Sequence, residues 1–166
     1  DEKETNRILE TARANSWKII EIKQSETKRS PRAPFTTSTL QQTASSRLGY
    51  SPSRTMGVAQ KLYEQGLITY MRTDSVNMSK EALPQIYATI EKEYGKEYLS
   101  PRTYTSKSKN AQEAHEAVRP TNFNQKSAGL NDEQEKLYRL IWERAISSQM
   151  ADAKILITTV SANILQ

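Results

Sequence analysis

Two side chains in this 166-residue sequence have the types and spacing for covalent chemistry at phosphorus: the phenol of Tyr70 and, two positions on, the guanidinium of Arg72. They lie in Gly66-Leu-Ile-Thr-Tyr-Met-Arg-Thr-Asp-Ser75, where small polar residues surround them just after a turn signal. The apolar and aromatic make-up of Leu67–Met71 predicts a short strand, in which side chains alternate, so Tyr70 and Arg72 point to one face. A guanidinium keeps its charge and its fork matches two non-bridging phosphate oxygens, while a phenol oxygen can attack phosphorus and later leave. The same spacing also suits a half-buried strand tyrosine followed by a solvated arginine, and these residues alone leave both readings open.

The elements that must position this segment can be read on either side of it. Thr36 to Ser38 can cap a helix whose Leu40, Ala44 and Leu48 recur at steps of four, with Gly49 as its stop. Ser51 or Ser53 caps a second helix with Pro52 in its first turn, a stripe of Met56, Ala59, Leu62 and Tyr63, and Gly66 at its end. Two short helices and a tight turn before a strand make a helix-turn-helix or winged-helix pattern, with an ordinary helical hairpin as the alternative. Beyond the motif, a helix from Ser79 to about Tyr94 carries Leu83, Ile86, Tyr87 and Ile90 on one side. Pro84 kinks it or delays its start to about residue 82. Lys96 to Asn110 reads as a long loop. Asn110 and Glu113 make a capping-box pair for a short helix that ends before Pro120 and carries His115, the only histidine. Asn131 and Gln134 open another helix to about Ser148, with Leu137, Leu140, Ile141 and Ala145 inward and Tyr138 and Trp142 widening that face.

At the ends, Glu2–Ala14 reads as a helix, and Trp17–Lys23 and Lys154–Ile164 read as strands. Ser25–Pro34, with two prolines and the bases Lys28, Arg29 and Arg32, has the composition of a linker, either simply solvated or in contact with phosphate. The expected class is mainly α with a small β part (α+β), a helical domain over 31–150 inserted between β elements at 1–30 and 151–166. The net charge of +5 and pI of about 9.4 fit a polyanionic partner. Zero cysteines exclude disulfides and thiolate zinc sites. No run of about 18 apolar residues could cross a bilayer and no signal-peptide pattern appears, which points to a soluble intracellular protein. A first residue other than methionine and an apolar last stretch suggest a piece of a longer chain.

Gly66–Ser75 resembles the active-site tyrosine motif of type IA DNA topoisomerases, most closely the bacterial topoisomerase I branch. Ala33-Pro-Phe-Thr-Thr-Ser-Thr-Leu-Gln-Gln42 resembles the helix entry upstream of that tyrosine, and Gln112-Glu-Ala-His-Glu-Ala-Val-Arg-Pro120 resembles a downstream histidine-bearing segment. The resemblance implies that Tyr70 attacks single-stranded DNA, expels a 3′-hydroxyl and becomes joined to the 5′-phosphate. A second strand then passes and the hydroxyl reverses the attack, so no nucleotide cofactor is needed. It also implies a helix-turn-helix tyrosine domain, similar to a bacterial activator's DNA-binding domain, projecting from a β-rich arch.

Within that expectation Arg72 neutralises charge developing at phosphorus, and His115, whose imidazole ordinarily titrates at about pH 6.5, donates a hydrogen bond or proton. Arg119, on the same expected helix face, binds phosphate or is a solvated charge. Glu64 sits at the catalytic junction by family analogy. Thr69, Thr73, Asp74 and Ser75 orient the arginine or hold the backbone. Ser38 and Gln41 contact DNA from the first helix, although capping also explains Ser38. No Asp-x-Asp-x-Glu pattern is present, and Asp132 and Glu133 fit a helix N-terminus without a metal. Magnesium is therefore expected only in a longer parent, on a separate Toprim-class domain, and this chain alone should not relax DNA. The expected partners are a single-stranded DNA gate segment and the remaining domains of the parent, with no membrane, in the bacterial cytoplasm at the chromosome. Two rivals remain: a non-catalytic helix-turn-helix DNA-binding module with Tyr70 in its core, and a purely structural interaction domain.

Overall fold

The computed structural model describes residues 1–105 and 116–164. Along the chain run α1 (Glu2–Ala14), β1 (Trp17–Arg29), α2 (Thr37–Leu48), α3 (Pro52–Glu64), α4 (Ala82–Glu93), a 3-10 turn (Lys96–Tyr98), α5 (Asp132–Ser147) and β2 (Ala153–Ile164). The mixture of helix with a small sheet is the expected α+β composition. The chain separates into two units, Ser30–Ala151 and the pair Asp1–Arg29 with Asp152–Gln166.

In the unit Ser30–Ala151, cap chemistry fixes where the helices begin. Thr36 caps α2 in a reciprocal box with Thr39, and Gly49, at φ +68°, closes it in the left-handed region. Ser51 accepts from the Arg54 N–H to start α3, with Pro52 in the first turn, and Asn131 accepts from the Gln134 N–H to start α5. Helix α4 starts at Ala82, the delay expected from Pro84. The apolar stripes meet in one core: Leu40 and Ala44 of α2, Ala59 and Leu62 of α3, Ile86 and Ile90 of α4, and Leu137, Ile141 and Ala145 of α5 are buried. Helices α2, α3 and α5 pack on one another, and α4 packs on α5. Buried polar atoms find partners: Trp142 Nε1 donates to the Phe123 carbonyl at 2.9 Å and the Tyr138 hydroxyl to the Gln125 carbonyl at 2.8 Å.

Two expectations fail in this unit. The segment around Tyr70 is not a strand; its β pairing is a single bridge between Ile68 and Pro120, so no wing accompanies α2 and α3. The helix expected to end before Pro120 does not include its last residues: Glu116–Pro120 is extended and bridges Phe35 through Val118. The rest of that expected helix, His115 included, lies outside the described residues.

In the other unit, β1 and β2 form a two-stranded antiparallel ribbon from Trp17 opposite Ile164 to Arg29 opposite Ala153, with one irregularity between Ile19 and Glu21. Strand β1 runs through Arg29, so the linker composition seen from Ser25 misplaces the strand end by several residues. Ser25, Thr27 and Lys28 pair across the ribbon with Ile157, Ile155 and Lys154; backbone pairing overrides a weak compositional signal. Neither α1 nor the ribbon contains a buried residue.

Candidate active site around Tyr70

Gly66, at φ +71°, turns the chain immediately after α3, and the Leu67 N–H donates back to the Leu62 carbonyl at 2.9 Å. The reversal lays the segment beside the helix it has just left, and the Tyr70 ring meets the Tyr63 ring edge-on, centroids 5.2 Å apart at 63°. Both rings stay partly in solvent, Tyr70 at 46% exposure. From Tyr70 to Ser75 the side chains alternate strictly. Tyr70, Arg72 and Asp74 are exposed, whereas Met71, Thr73 and Ser75 are buried. Phenol and guanidinium are thus both exposed, on either side of a buried Met71 at which the chain bends, and the strand expected to carry them is absent.

Threonine hydroxyls hold that segment from both sides. Toward α2, the Thr37 hydroxyl donates to the Met71 carbonyl and accepts from the Thr73 N–H, each at 2.8 Å, and the Thr37 N–H donates to the Thr73 carbonyl at 2.9 Å. Toward the extended segment, the Thr69 hydroxyl donates to the Ala117 carbonyl at 2.8 Å and accepts from the Arg119 N–H at 3.0 Å, while the Thr69 N–H donates to the Arg119 carbonyl at 2.9 Å. At the end of the motif, the Thr73 hydroxyl accepts from the Ser75 N–H at 3.0 Å and the Ser75 hydroxyl from the Asn77 N–H at 3.1 Å. Thr69 and Thr73 therefore hold backbone. With the backbone pinned on both sides, the tyrosine and arginine are presented from a fixed main chain.

The other expected residues divide. Arg119 is neither solvated nor on a helix: its side chain is 14% exposed, Nε donates to Glu116 at 2.5 Å, Nη1 to the Pro120 carbonyl at 2.9 Å and Nη2 to Ser79 at 3.4 Å. Its contacts tie the extended segment together. Glu64 is exposed at the end of α3 and accepts from Gln60 at 2.8 Å. Capping no longer explains Ser38, because Thr36 is the cap; Ser38 is exposed in the first turn of α2 and lines, with Gln41, a shallow cleft closed by Ser45 and Pro52. Among the described residues no group of three or more acidic, histidine or cysteine side chains stands close enough to hold a metal ion. No helix of the described residues is long and apolar enough to cross a membrane.

Comparison with known proteins decides the kinship. A profile of the DNA topoisomerase family matches residues 1–166, the whole length. The chain belongs to the DNA topoisomerase family. DNA topoisomerase 1 of Synechocystis is 49% identical over 160 residues, 93% of this chain and 18% of the relative. That of Helicobacter pylori strain J99 is 50% identical over 167 residues, 92% of this chain and 23% of the relative. Among solved structures, full-length topoisomerase I from Thermotoga maritima matches at a TM-score of 0.74 and 39% identity, over 93% of this chain and 26% of that one. This topoisomerase segment thus spans about a fifth of the curated relatives it matches, and they belong to the bacterial branch of the type IA resemblance read from Gly66–Ser75.

Two residues of the topoisomerase segment escape a reading by sequence. Tyr63 falls in the apolar stripe of α3, yet it is 41% exposed and touches Tyr70 instead of the core. Its separation from Tyr70 by seven residues and a turning glycine was the available signal. Thr37 reads as one of three possible caps, and only the tertiary fold reveals that its hydroxyl grips residues 71 and 73.

Proposed function

We propose that this chain is the tyrosine-bearing segment of a topoisomerase that opens one DNA strand through Tyr70. The Tyr70 oxygen attacks a backbone phosphorus, the P–O bond to the 3′-oxygen breaks, and the enzyme holds the 5′-phosphate as a tyrosyl ester while another strand passes. Return of the 3′-hydroxyl to phosphorus releases the tyrosine and reseals the strand. Both steps exchange one phosphodiester for another, so supercoils relax without a nucleotide cofactor. Arg72 stabilises negative charge on the phosphoryl oxygens, and His115, as in the resemblance, serves the same phosphate. The single observation supporting this reading most strongly is the exposure of Tyr70, with Arg72 exposed two residues on, in a backbone pinned by Thr37 and Thr69. The rival DNA-binding module needs that tyrosine in its core.

In this reading residues 31–150 form the tyrosine domain, and 1–30 with 151–166 are the edge of the β-rich arch from which it projects. Glu64, Asp74, Ser38 and Gln41 face the single-stranded gate segment, and Arg119 supports the site through its hold on the extended segment. Magnesium belongs to a Toprim-class domain of the parent and takes no residue of this chain, which alone does not relax DNA. The parent works in the bacterial cytoplasm on the chromosome. The test is Tyr70→Phe in the full-length parent. It should eliminate the protein–DNA adduct trapped by denaturant and leave single-strand affinity within about twofold. An adduct persisting at the parent's level would refute the proposal.

A further inference from the structure

A cavity of about 360 Å³ opens beside α2, lined by Arg32, Thr39, Gln42, Thr43, Ser46 and Arg144. Beside Ala33, Pro34 and Val76, its polar lining is one-sided: two guanidiniums, three hydroxyls and an amide, with no carboxylate. Arg47 follows Ser46 on α2, and its charge bears on Arg144 as that of Arg32 does. Among the described residues no acidic side chain forms an ion pair with Arg32, Arg47 or Arg144. Arg144 is half-buried and fixed: its guanidinium lies 4.2 Å from the Phe35 ring centroid and Nη1 donates to the Ala33 carbonyl at 3.3 Å. Burial and the two neighbouring arginines pull its pKa down to about 10, so it remains charged at neutral pH in surroundings that oppose that charge. The fold holds like charges together here, and stacking on Phe35 rather than a counter-ion keeps Arg144 in place.

Such a site lacks a negative partner. From the lining chemistry we infer that this cavity is a second anchor for nucleic acid, holding a backbone phosphodiester of the same single strand that meets Tyr70. The inference rests on the DNA-cleaving reading of the Tyr70 site. Guanidiniums from Arg32 and Arg144 flank the phosphate, Arg47 adds attraction, and the Gln42 amide offers a neutral donor of the kind phosphate oxygens also use. Val76, six residues after Tyr70 on the chain, closes one wall of the cavity, and α2 grips the motif through Thr37. The two sites therefore share their supporting elements. The adjoining cleft with Ser38 and Gln41 shares Gln42 and Ser46 with the cavity, giving the strand a continuous polar track along α2. A backbone anchor contributes affinity and register without reading bases.

The experiment measures single-strand binding by the full-length parent over a salt series, with Arg32→Gln and Arg47→Gln as the variants. Both positions are exposed, so folding is little disturbed, whereas Arg144 carries packing as well as charge. Arg139→Gln on α5, whose partner is Glu143 at 3.0 Å, removes the same charge elsewhere. Each cavity variant should weaken binding roughly threefold to tenfold, equally for oligothymidine and mixed sequence, and flatten the log–log salt slope by about 0.7 for each phosphate no longer neutralised. A slope and affinity equal to those of Arg139→Gln would overturn the inference. So would a titration in which inorganic phosphate shifts the arginine side-chain NMR signals while the DNA slope stays that of the parent, because the cavity would then serve a free anion. Covalent adduct formation is scored in the same samples: an adduct lost only in Tyr70→Phe with normal slopes in the arginine variants sinks the anchor and spares the cleavage reading. Flattened slopes with an adduct that survives Tyr70→Phe would do the reverse.

Discussion

At the scale of single residues, Thr37 does the most with the fewest atoms. Its hydroxyl both donates to the Met71 carbonyl and accepts from the Thr73 N–H, so the two peptide groups flanking Arg72 depend on one oxygen. Thr37→Val keeps the shape of the side chain and strands both groups. We expect a loss of about 1–3 kcal/mol, read from urea denaturation midpoints, and recovery of most of it by Thr37→Ser. Because the segment set loose carries Arg72, adduct yield in the full-length parent should fall as well. None of this was available from the linear sequence, where Thr36, Thr37 and Ser38 compete as caps; the choice among them depends on which hydroxyl the distant segment 71–73 meets. For Tyr70 and Arg72, by contrast, the sequence supplied the residue types and the motif, while the strand argued for them is absent and the chain bends at Met71 between them. Arg119 was misread because an extended stretch brings its guanidinium onto Glu116, Ser79 and Pro120.

At the scale of elements, local chemistry decides more. Gly49 closes α2 at φ +68° with nothing near the position of an added Cβ, and Gly57 lies inside α3, also with open space around it. Alanine should therefore act in opposite directions at the two sites: about 1–2 kcal/mol destabilising at Gly49, from the left-handed backbone alone, and about 0.5–1 kcal/mol stabilising at Gly57, where flexibility of the unfolded chain is removed. Denaturation of the two variants side by side checks the sign. Helix α5 carries a pH signature. Burial pushes the Tyr138 phenol from its ordinary value near 10.0 up to about 12. Its protonated form is thus favoured by folding: the contribution is complete below pH 10 and disappears as pH rises toward 12, because the unfolded chain releases the proton first. Stability should fall between pH 10 and 12, and Tyr138→Phe should flatten that decline while losing the hydrogen bond to the Gln125 carbonyl. The helices were readable from caps and stripes at their own positions. The absent strand at Leu67–Met71 was not, since pairing needs a neighbour and the pairing formed is a single bridge to Pro120.

For the whole molecule, a core of buried side chains from α2 to α5 contrasts with a ribbon that buries none of its own. The alternation that marks a half-buried strand therefore has no meaning in β1, and its true end at Arg29 could not be read from Ser25–Pro34. Kinship was legible in three separated motifs, and the family match across all 166 residues agrees with them. The charge excess of +5 pointed to a polyanion without saying where it binds; the arginines of the α2 cavity became visible only when Arg32 and Arg144, far apart in sequence, met in one lining.

The most direct measurement is the chemical identity of the protein–DNA bond. The full-length parent is mixed with a single-stranded oligonucleotide, denatured and digested, and the DNA-linked peptide is sequenced by mass spectrometry. The account predicts one linked peptide, Tyr70 within it, with the phenol oxygen esterified to a 5′-phosphate. Attachment through any other side chain, or through a 3′-phosphate, would contradict it.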